Sequence, residues 1–326
     1  MSTNEQKINN LFLYWLVISL VLVFLIIIVG GLTRLTNSGL SITEWELVKG
    51  ILPPLNKETW EFYFNQYQQI PQYKILNFNM TLEEFKIIFY WEYIHRLIAR
   101  LIGLFFLIPL IYFYFSKHIN KKYIKICYWI LGLIILQGTI GWYMVESGLV
   151  NNLTVSHYRL SIHLFTAILI ISIMYWLINN IISKRNKTFF RLSSNNLPFQ
   201  IFILLIFMQI IMGAFVSGLD AGRIYQTWPM MNESYFPNDL IDINFNDILK
   251  FDNHSMIQFI HRNLAYIILL YALFIIIFIY KKKILNLYKP INVLFLILFL
   301  QIVLGIFTLI SGLNILLASL HQITSV

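Results

Sequence analysis

Seven stretches of nearly unbroken hydrocarbon, at roughly 11–33, 87–115, 126–145, 160–182, 199–218, 256–280 and 291–311, alternate with segments that hold most of the charge. A helix crosses a hydrocarbon layer of about 30 Å with about 20 apolar residues, and each stretch reaches that length. An eighth opens near Leu316 and meets the end of the sequence at Val326. As helix it would run only about 16 Å, so the last of eight expected spans reads as truncated. The first stretch has no small-residue cleavage pattern and outruns the apolar core of a signal peptide. It is expected to remain as a transmembrane helix, and the fold class is all-α, in a membrane.

Composition agrees with the pattern. Of 326 residues 58% are hydrophobic and 12% charged, with a mean hydropathy of +0.70, far too apolar for a soluble domain of this size. The net charge of +9 would by itself suggest nucleic acid, but its placement argues for topology instead. Lys117, Lys121, Lys122 and Lys125 fall in one short segment, Lys184, Arg185, Lys187 and Arg191 in another, and Lys281, Lys282, Lys283 and Lys289 in a third, with no acid among them. The positive-inside rule puts these loops in the cytoplasm, and no nucleic-acid partner is expected. Segment 219–255 carries Asp220, Glu233, Asp239, Asp242, Asp247 and Asp252 against only Arg223 and Lys250, so it and the other long loop, 34–86, are expected outside. In 34–86, Pro53-Pro54, several aromatics and a Thr81/Glu84 pair with capping-box spacing predict a cover across the outer mouth. The lone Cys127 permits no intrachain disulfide and reads as a small apolar side chain.

The halves repeat one another. Gly31-Leu-Thr-Arg34 continues to Gly39 and Trp45, as Gly213-Ala-Phe-Val-Ser-Gly218 continues to Gly222 and Trp228; both glycine-to-tryptophan gaps are six residues. Glu92-Tyr-Ile-His95-Arg96 matches Gln258-Phe-Ile-His261-Arg262, and Gln137-x-x-x-Gly141 with Ser147-Gly-Leu149 matches Gln301-x-x-x-Gly305 with Ser311-Gly-Leu313. The expected architecture is therefore two repeated four-helix bundles, 1–190 and 191–326. With four helices each, both keep one orientation, related by an axis near the membrane normal.

Four histidines, His95, His163, His261 and His321, fall in the opening turns of the even-numbered spans, one pair in each half. Those spans enter from outside, so all four imidazoles are expected at similar depth near the outer face. A bundle can hold a planar macrocycle between facing helices, with a histidine from each donating an axial nitrogen to iron. Two histidines without a third ligand make a poor zinc site. For one isolated histidine a bond to a neighbouring carbonyl is an equal alternative; four at repeat-equivalent positions favour ligation. His118, His157 and His254 lack that symmetry and are expected to be solvated. Arg96, Arg159 and Arg262 lie beside the histidines, where they suit porphyrin propionates and equally suit snorkelling to the interface. Glu92 shares a helical face with His95, about 4.5 Å along the axis. Its counterpart is Gln258, so proton or charge chemistry is expected in the first half and a permanent cofactor in the second. The competing account of Glu92 is a negative charge suited to a helix start.

At these residues the chain resembles heme A synthase, in its longer proteobacterial and mitochondrial type. The resemblance covers nearly the whole length. It rests on Gly30-Gly-Leu-Thr-Arg-Leu-Thr-Asn-Ser-Gly-Leu-Ser-Ile-Thr-Glu-Trp45, Glu92…His95-Arg96, Gln137-Gly-Thr-Ile-Gly-Trp-Tyr-Met144, Ser156-His-Tyr-Arg-Leu160, Gly218-Leu-Asp-Ala-Gly222, Thr227-Trp-Pro229 and Leu320-His-Gln322. It implies an oxidoreductase that converts heme O to heme A by oxidising the C8 methyl to a formyl group, through successive hydroxylations and loss of water. It also implies a resident heme b on His261 and His321, substrate heme O on His95 and His163, and a catalytic role for Glu92. A bacterial inner membrane is the implied location, and a heme O synthase the implied neighbour, with the electron acceptor unspecified. The shorter bacterial type carries cysteine pairs in outer loops; this chain has none, so no cysteine-dependent step is expected. The chemistry of the histidine pairs leaves two rivals: a diheme cytochrome b in quinone-linked electron transfer, and a heme carrier without redox turnover.

Overall fold

Every regular element is helical among the residues described by the computed structural model, which are 3–45, 49–151, 153–184, 193, 196–241 and 250–326, apart from one isolated bridge between Met231 and Ser234. Arg185, Lys187, Arg191, Asp242 and Asp247, invoked above for topology, lie outside these residues, as does the expected boundary between 190 and 191. The chain divides into two compact units, Met1–Phe189 and Phe190–Val326.

In unit 1, α1 (Thr3–Leu35), α4 (Leu82–Ser116), α5 (Lys121–Asn151) and α6 (His157–Ile182) pack in sequence, and α6 returns to α1 to close the ring. Two short helices, α2 (Lys57–Tyr67) and α3 (Pro71–Leu76), sit in the long loop between α1 and α4. In unit 2, α7 (Leu197–Gly218) packs on α8 (His254–Lys281), α8 on α9 (Tyr288–Ile310), and α9 on α10 (Ile315–Ser325). Seven of these helices are long and apolar enough to span a membrane, and α10 is shorter. Each predicted span lies inside an observed helix to within a residue. Two of the helices start further out because a polar cap, not the edge of the hydrocarbon stretch, begins them. Thr81 and Glu84 form the expected capping box, so α4 starts five residues before its apolar stretch. Asn253 caps α8 by accepting from the Met256 amide at 3.0 Å.

Lipid offers a backbone no hydrogen bonds, so each broken helical bond needs a protein donor. Pro109 lies inside α4 and has no N–H for the carbonyl of Phe105. The indole of Trp15 on α1 supplies it at 3.0 Å. Trp15 is packed there by Phe12, Phe106 and Phe113, with ring centroids 4.7–5.5 Å apart. One proline thus fixes where α1 meets α4.

The loop helices pack over the mouth of unit 1. Trp60 and Tyr67 of α2 join Leu40, Ile42, Ile70, Phe85, Ile88 and Phe89 in one buried cluster, against which Val145, Leu149 and Val155 pack. Tyr67 is fully buried, its hydroxyl 3.0 Å from Gln72 Oε1 and accepting from Asn77 Nδ2 at 2.7 Å. Burial pushes its phenol up to about 12. The described part of 34–86 thus packs over one end of the unit 1 helices. Cys127 is buried, as a small apolar side chain would be.

Candidate functional site

Each of the four histidines meets a glycine of the preceding long helix in its unit. A Cβ on Gly30 of α1 would lie 2.9 Å from Cε1 of His95 on α4, and one on Gly141 of α5 would lie 3.0 Å from Cε1 of His163 on α6. In unit 2 a Cβ on Gly213 of α7 would lie 3.2 Å from His261 Cε1, and one on Gly305 of α9 2.8 Å from His321 Cε1. At Gly30 and Gly305 a side chain would force the imidazole to move, and at Gly141 and Gly213 the ring would have to give by a few tenths of an ångström. All four rings are half-buried. His95 and His163 interact electrostatically with each other, and so do His261 and His321. The fold therefore brings together the pairs taken from the repeat.

A histidine kept only for packing would find partners for its buried nitrogens. Nδ1 of His95, His163 and His261 is buried with none, whereas Nδ1 of His321 lies 3.1 Å from the carbonyl of Gln301. No cluster of three or more His, Cys, Asp or Glu side chains suited to a bare ion occurs among the described residues. Paired imidazoles in glycine cradles, without further ligands, fit a planar iron macrocycle that needs only two axial nitrogens.

A glutamine stands four residues before three of the cradle glycines. Gln137 Nε2 donates to the carbonyl of His163 at 2.9 Å, Gln301 Nε2 to that of His321 at 2.7 Å, and Gln209 Nε2 to that of His261 at 3.1 Å. The first two follow from the repeat; Gln209 was missed, although its spacing from Gly213 is the same. At the fourth position stands Ile26.

One turn before His95 lies Glu92, 2% exposed. Its Oε2 accepts from the Ser41 hydroxyl at 2.7 Å and the Ile42 amide at 2.9 Å, and its Oε1 from Arg96 Nη2 at 2.5 Å. Arg96 also donates to the carbonyls of Ile42 at 2.9 Å and Glu44 at 3.3 Å, and lies 5.0 Å from the ring of Trp45. Unit 2 builds the same knot with different chemistry. Arg262 donates to the carbonyls of Tyr225 and Thr227, each at 2.9 Å, which stand as far from Gly213 as Ile42 and Glu44 do from Gly30. Gln258, as buried as Glu92, donates Nε2 to the Tyr225 carbonyl at 2.9 Å and leaves Oε1 without a partner. A carboxylate only accepts, so Glu92 takes an amide and a hydroxyl where Gln258 takes a carbonyl. Ser41, the second donor, is matched by Ile224, and sequence reasoning passed over it.

The arginines are placed differently from one another. Arg96 and Arg262 hold the loop that follows the first helix of their unit. Arg159 donates to Ser147 Oγ and lies 4.7 Å from the Tyr143 ring. His118 and His254 are exposed. His157 is half-buried, its ring 4.2 Å from that of Tyr158; it opens α6 and does not stand in a free loop.

The family model described as cytochrome oxidase assembly protein matches residues 13–326. The chain belongs to that family. A curated relative from Pelagibacter ubique (strain HTCC1062), called heme A synthase, is 50% identical over the whole chain and 96% of its own length. Relatives of the same description from Rickettsia africae (strain ESF-5) and Rickettsia prowazekii (strain Madrid E) are 41% and 40% identical, each over 98% of this chain and 95% of their own length.

Proposed function

We propose that this chain is a heme A synthase, an oxidoreductase that converts the C8 methyl of heme O to a formyl group by successive hydroxylations and loss of water. The likeness to relatives of that name over the full length supports the reaction. The asymmetry between Glu92 and Gln258 carries the division of labour between the units.

In this reading His95 and His163 bind the substrate heme by its iron, and His261 and His321 bind a resident heme b. Bound there, heme b supplies one-electron redox chemistry. The remaining work falls to side chains. The cradle glycines let the imidazoles stand edge-on against the neighbouring helix, where they would hold the ring by its iron. Helices α4 and α6 exclude water from it. Glu92 is the catalytic carboxylate: it keeps a negative charge one turn from His95 and takes up a proton as the ring methyl is oxidised. Ser41, the Ile42 amide and Arg96 hold that charge in place, since an unpaired carboxylate would not persist in hydrocarbon. Arg96, Arg159 and Arg262 remain candidates for propionates, with Arg159 and Arg262 less buried than Arg96.

The protein belongs in this reading to a bacterial inner membrane, with its basic loops cytoplasmic, its histidines near the outer face and substrate arriving through lipid or from a heme O synthase. Purified protein supplied with heme O and an electron acceptor, followed by extraction and separation of the hemes, tests the proposal. Hydroxylated and formyl products are expected. Unmodified heme O alongside intact heme spectra would leave a diheme electron carrier in its place.

A further inference from the structure

One register position, four residues before each cradle glycine, divides the histidines unequally. It holds Gln137, Gln209 and Gln301 in three cases and Ile26 in the fourth. Each glutamine bonds the carbonyl of the histidine in its own cradle. Ile26 has no donor, and among the described residues no side chain bonds the carbonyl of His95.

We propose that Gln137, Gln209 and Gln301 are positioning residues for His163, His261 and His321, and that Ile26 leaves His95 as the ligand that lets go when heme exchanges in unit 1. The inference deepens the reading of these histidines as heme ligands and rests on it.

A histidine carbonyl inside a helix already accepts the amide four residues on; its second lone pair is open to a side chain. A glutamine that takes it ties the turn bearing the imidazole to the helix bearing the glycine. The turn that carries the ring then cannot shift away from the cradle helix unless that bond breaks. In unit 2 both ligands are tied, and His321 is held again through Nδ1 at 3.1 Å from the Gln301 carbonyl. With Nδ1–H donating, Nε2 is left as the ligating lone pair. In unit 1 only His163 is tied. Helices α1 and α4 stay joined on either side of the gap, by Trp15 to the Phe105 carbonyl at 3.0 Å and by Thr33 to the Trp91 carbonyl at 3.3 Å. The missing bond therefore leaves the turn of His95 fixed to the 41–44 segment by Glu92 and Arg96 but without a tie to the helix that carries its cradle glycine, while the helix pair stays joined. Two tied ligands suit a group that stays, and one tied with one untied suits a group that turns over.

The test uses the full chain, purified and loaded with ferric heme, and follows heme transfer to excess apomyoglobin together with the electron paramagnetic resonance of the low-spin iron. Methionine fills the volume of glutamine without its donor. Gln209→Met and Gln301→Met are expected to speed the slow phase on the order of fivefold, the factor one hydrogen bond sets, and to shift the g-values of that heme. Ile26→Gln is expected to slow the fast phase by a similar factor, while Ile26→Leu leaves it unchanged. Should Ile26→Gln fail to accumulate, Gln137→Met decides, because it must speed the fast phase. Unaltered rates and g-values in the methionine variants, with two hemes bound, would overturn the positioning role alone. A protein that takes up no heme would instead overturn the ligand reading beneath it.

Discussion

Glu92 shows how much one atom's change of role can do. Glutamate and glutamine occupy the same place in the two knots, yet one accepts from Ser41 and Ile42 and the other donates to Tyr225. Glu92→Gln is expected to keep the fold, because Gln258 shows that an amide fits such a knot, and to keep both hemes. Product formation should fall roughly a hundredfold or more, the scale of a lost proton acceptor; heme extraction after turnover checks it, and wild-type product would remove Glu92 from the chemistry. Tyr67 gives a pH dependence outside the membrane. Its folded pKa of about 12 exceeds the unfolded value of 10, so its contribution is intact below pH 10 and is lost as pH rises from 10 toward 12. Protease cleavage in 57–77 should rise across that window, and Tyr67→Phe should flatten the rise. The Glu92 and Gln258 contrast was legible in the sequence, since it needs only the repeat. Ser41 was not, because a serine far along the chain gives no sign that its hydroxyl turns toward α4.

At the scale of helices, contact is governed by small groups and single bonds. Gly305→Ala would put a methyl 2.8 Å from His321 Cε1, and the ring must move. Loss or shift of the unit 2 heme spectrum is expected, whereas Gly138→Ala, with nothing within 4 Å, should leave the spectrum alone and gain up to about 1 kcal/mol of helix stability. Trp15→Phe should cost about 1–3 kcal/mol in thermal or denaturant unfolding, because the Phe105 carbonyl left by Pro109 would then be buried without a donor. An unchanged midpoint would refute that pairing. The spans were readable because hydrocarbon patterning is set by the solvent, lipid, and needs no partner. The cradles were half readable: Gln137 and Gln301 stand out as polar groups in repeated strings, while Gln209 lies in a helix whose first-half counterpart has Ile26, so comparing halves hid it. Helices α2 and α3 were not read, although Trp60, Tyr63, Phe64 and Tyr67 recur at i, i+3, i+4 and i+7 and pack in one cluster with Phe85 and Phe89 of α4, because the face is only two turns long and sits among further aromatics.

Across the whole molecule, two units of like design carry unlike restraints. Unit 1 has the buried carboxylate, the aromatic cover and one untied histidine; unit 2 has the neutral amide and two tied histidines. In the proposed reading, a duplicated binding scaffold has diverged into one site suited to turnover and one suited to retention. The measurement that bears most directly on this is low-temperature electron paramagnetic resonance of the heme-loaded protein, taken with His163→Ala and His321→Ala. Two bis-histidine low-spin signals are expected in the parent, with His163→Ala removing only the readily exchanged one and His321→Ala only the slowly exchanged one. Both signals surviving in either variant would contradict the pairing of the imidazoles on which the account stands.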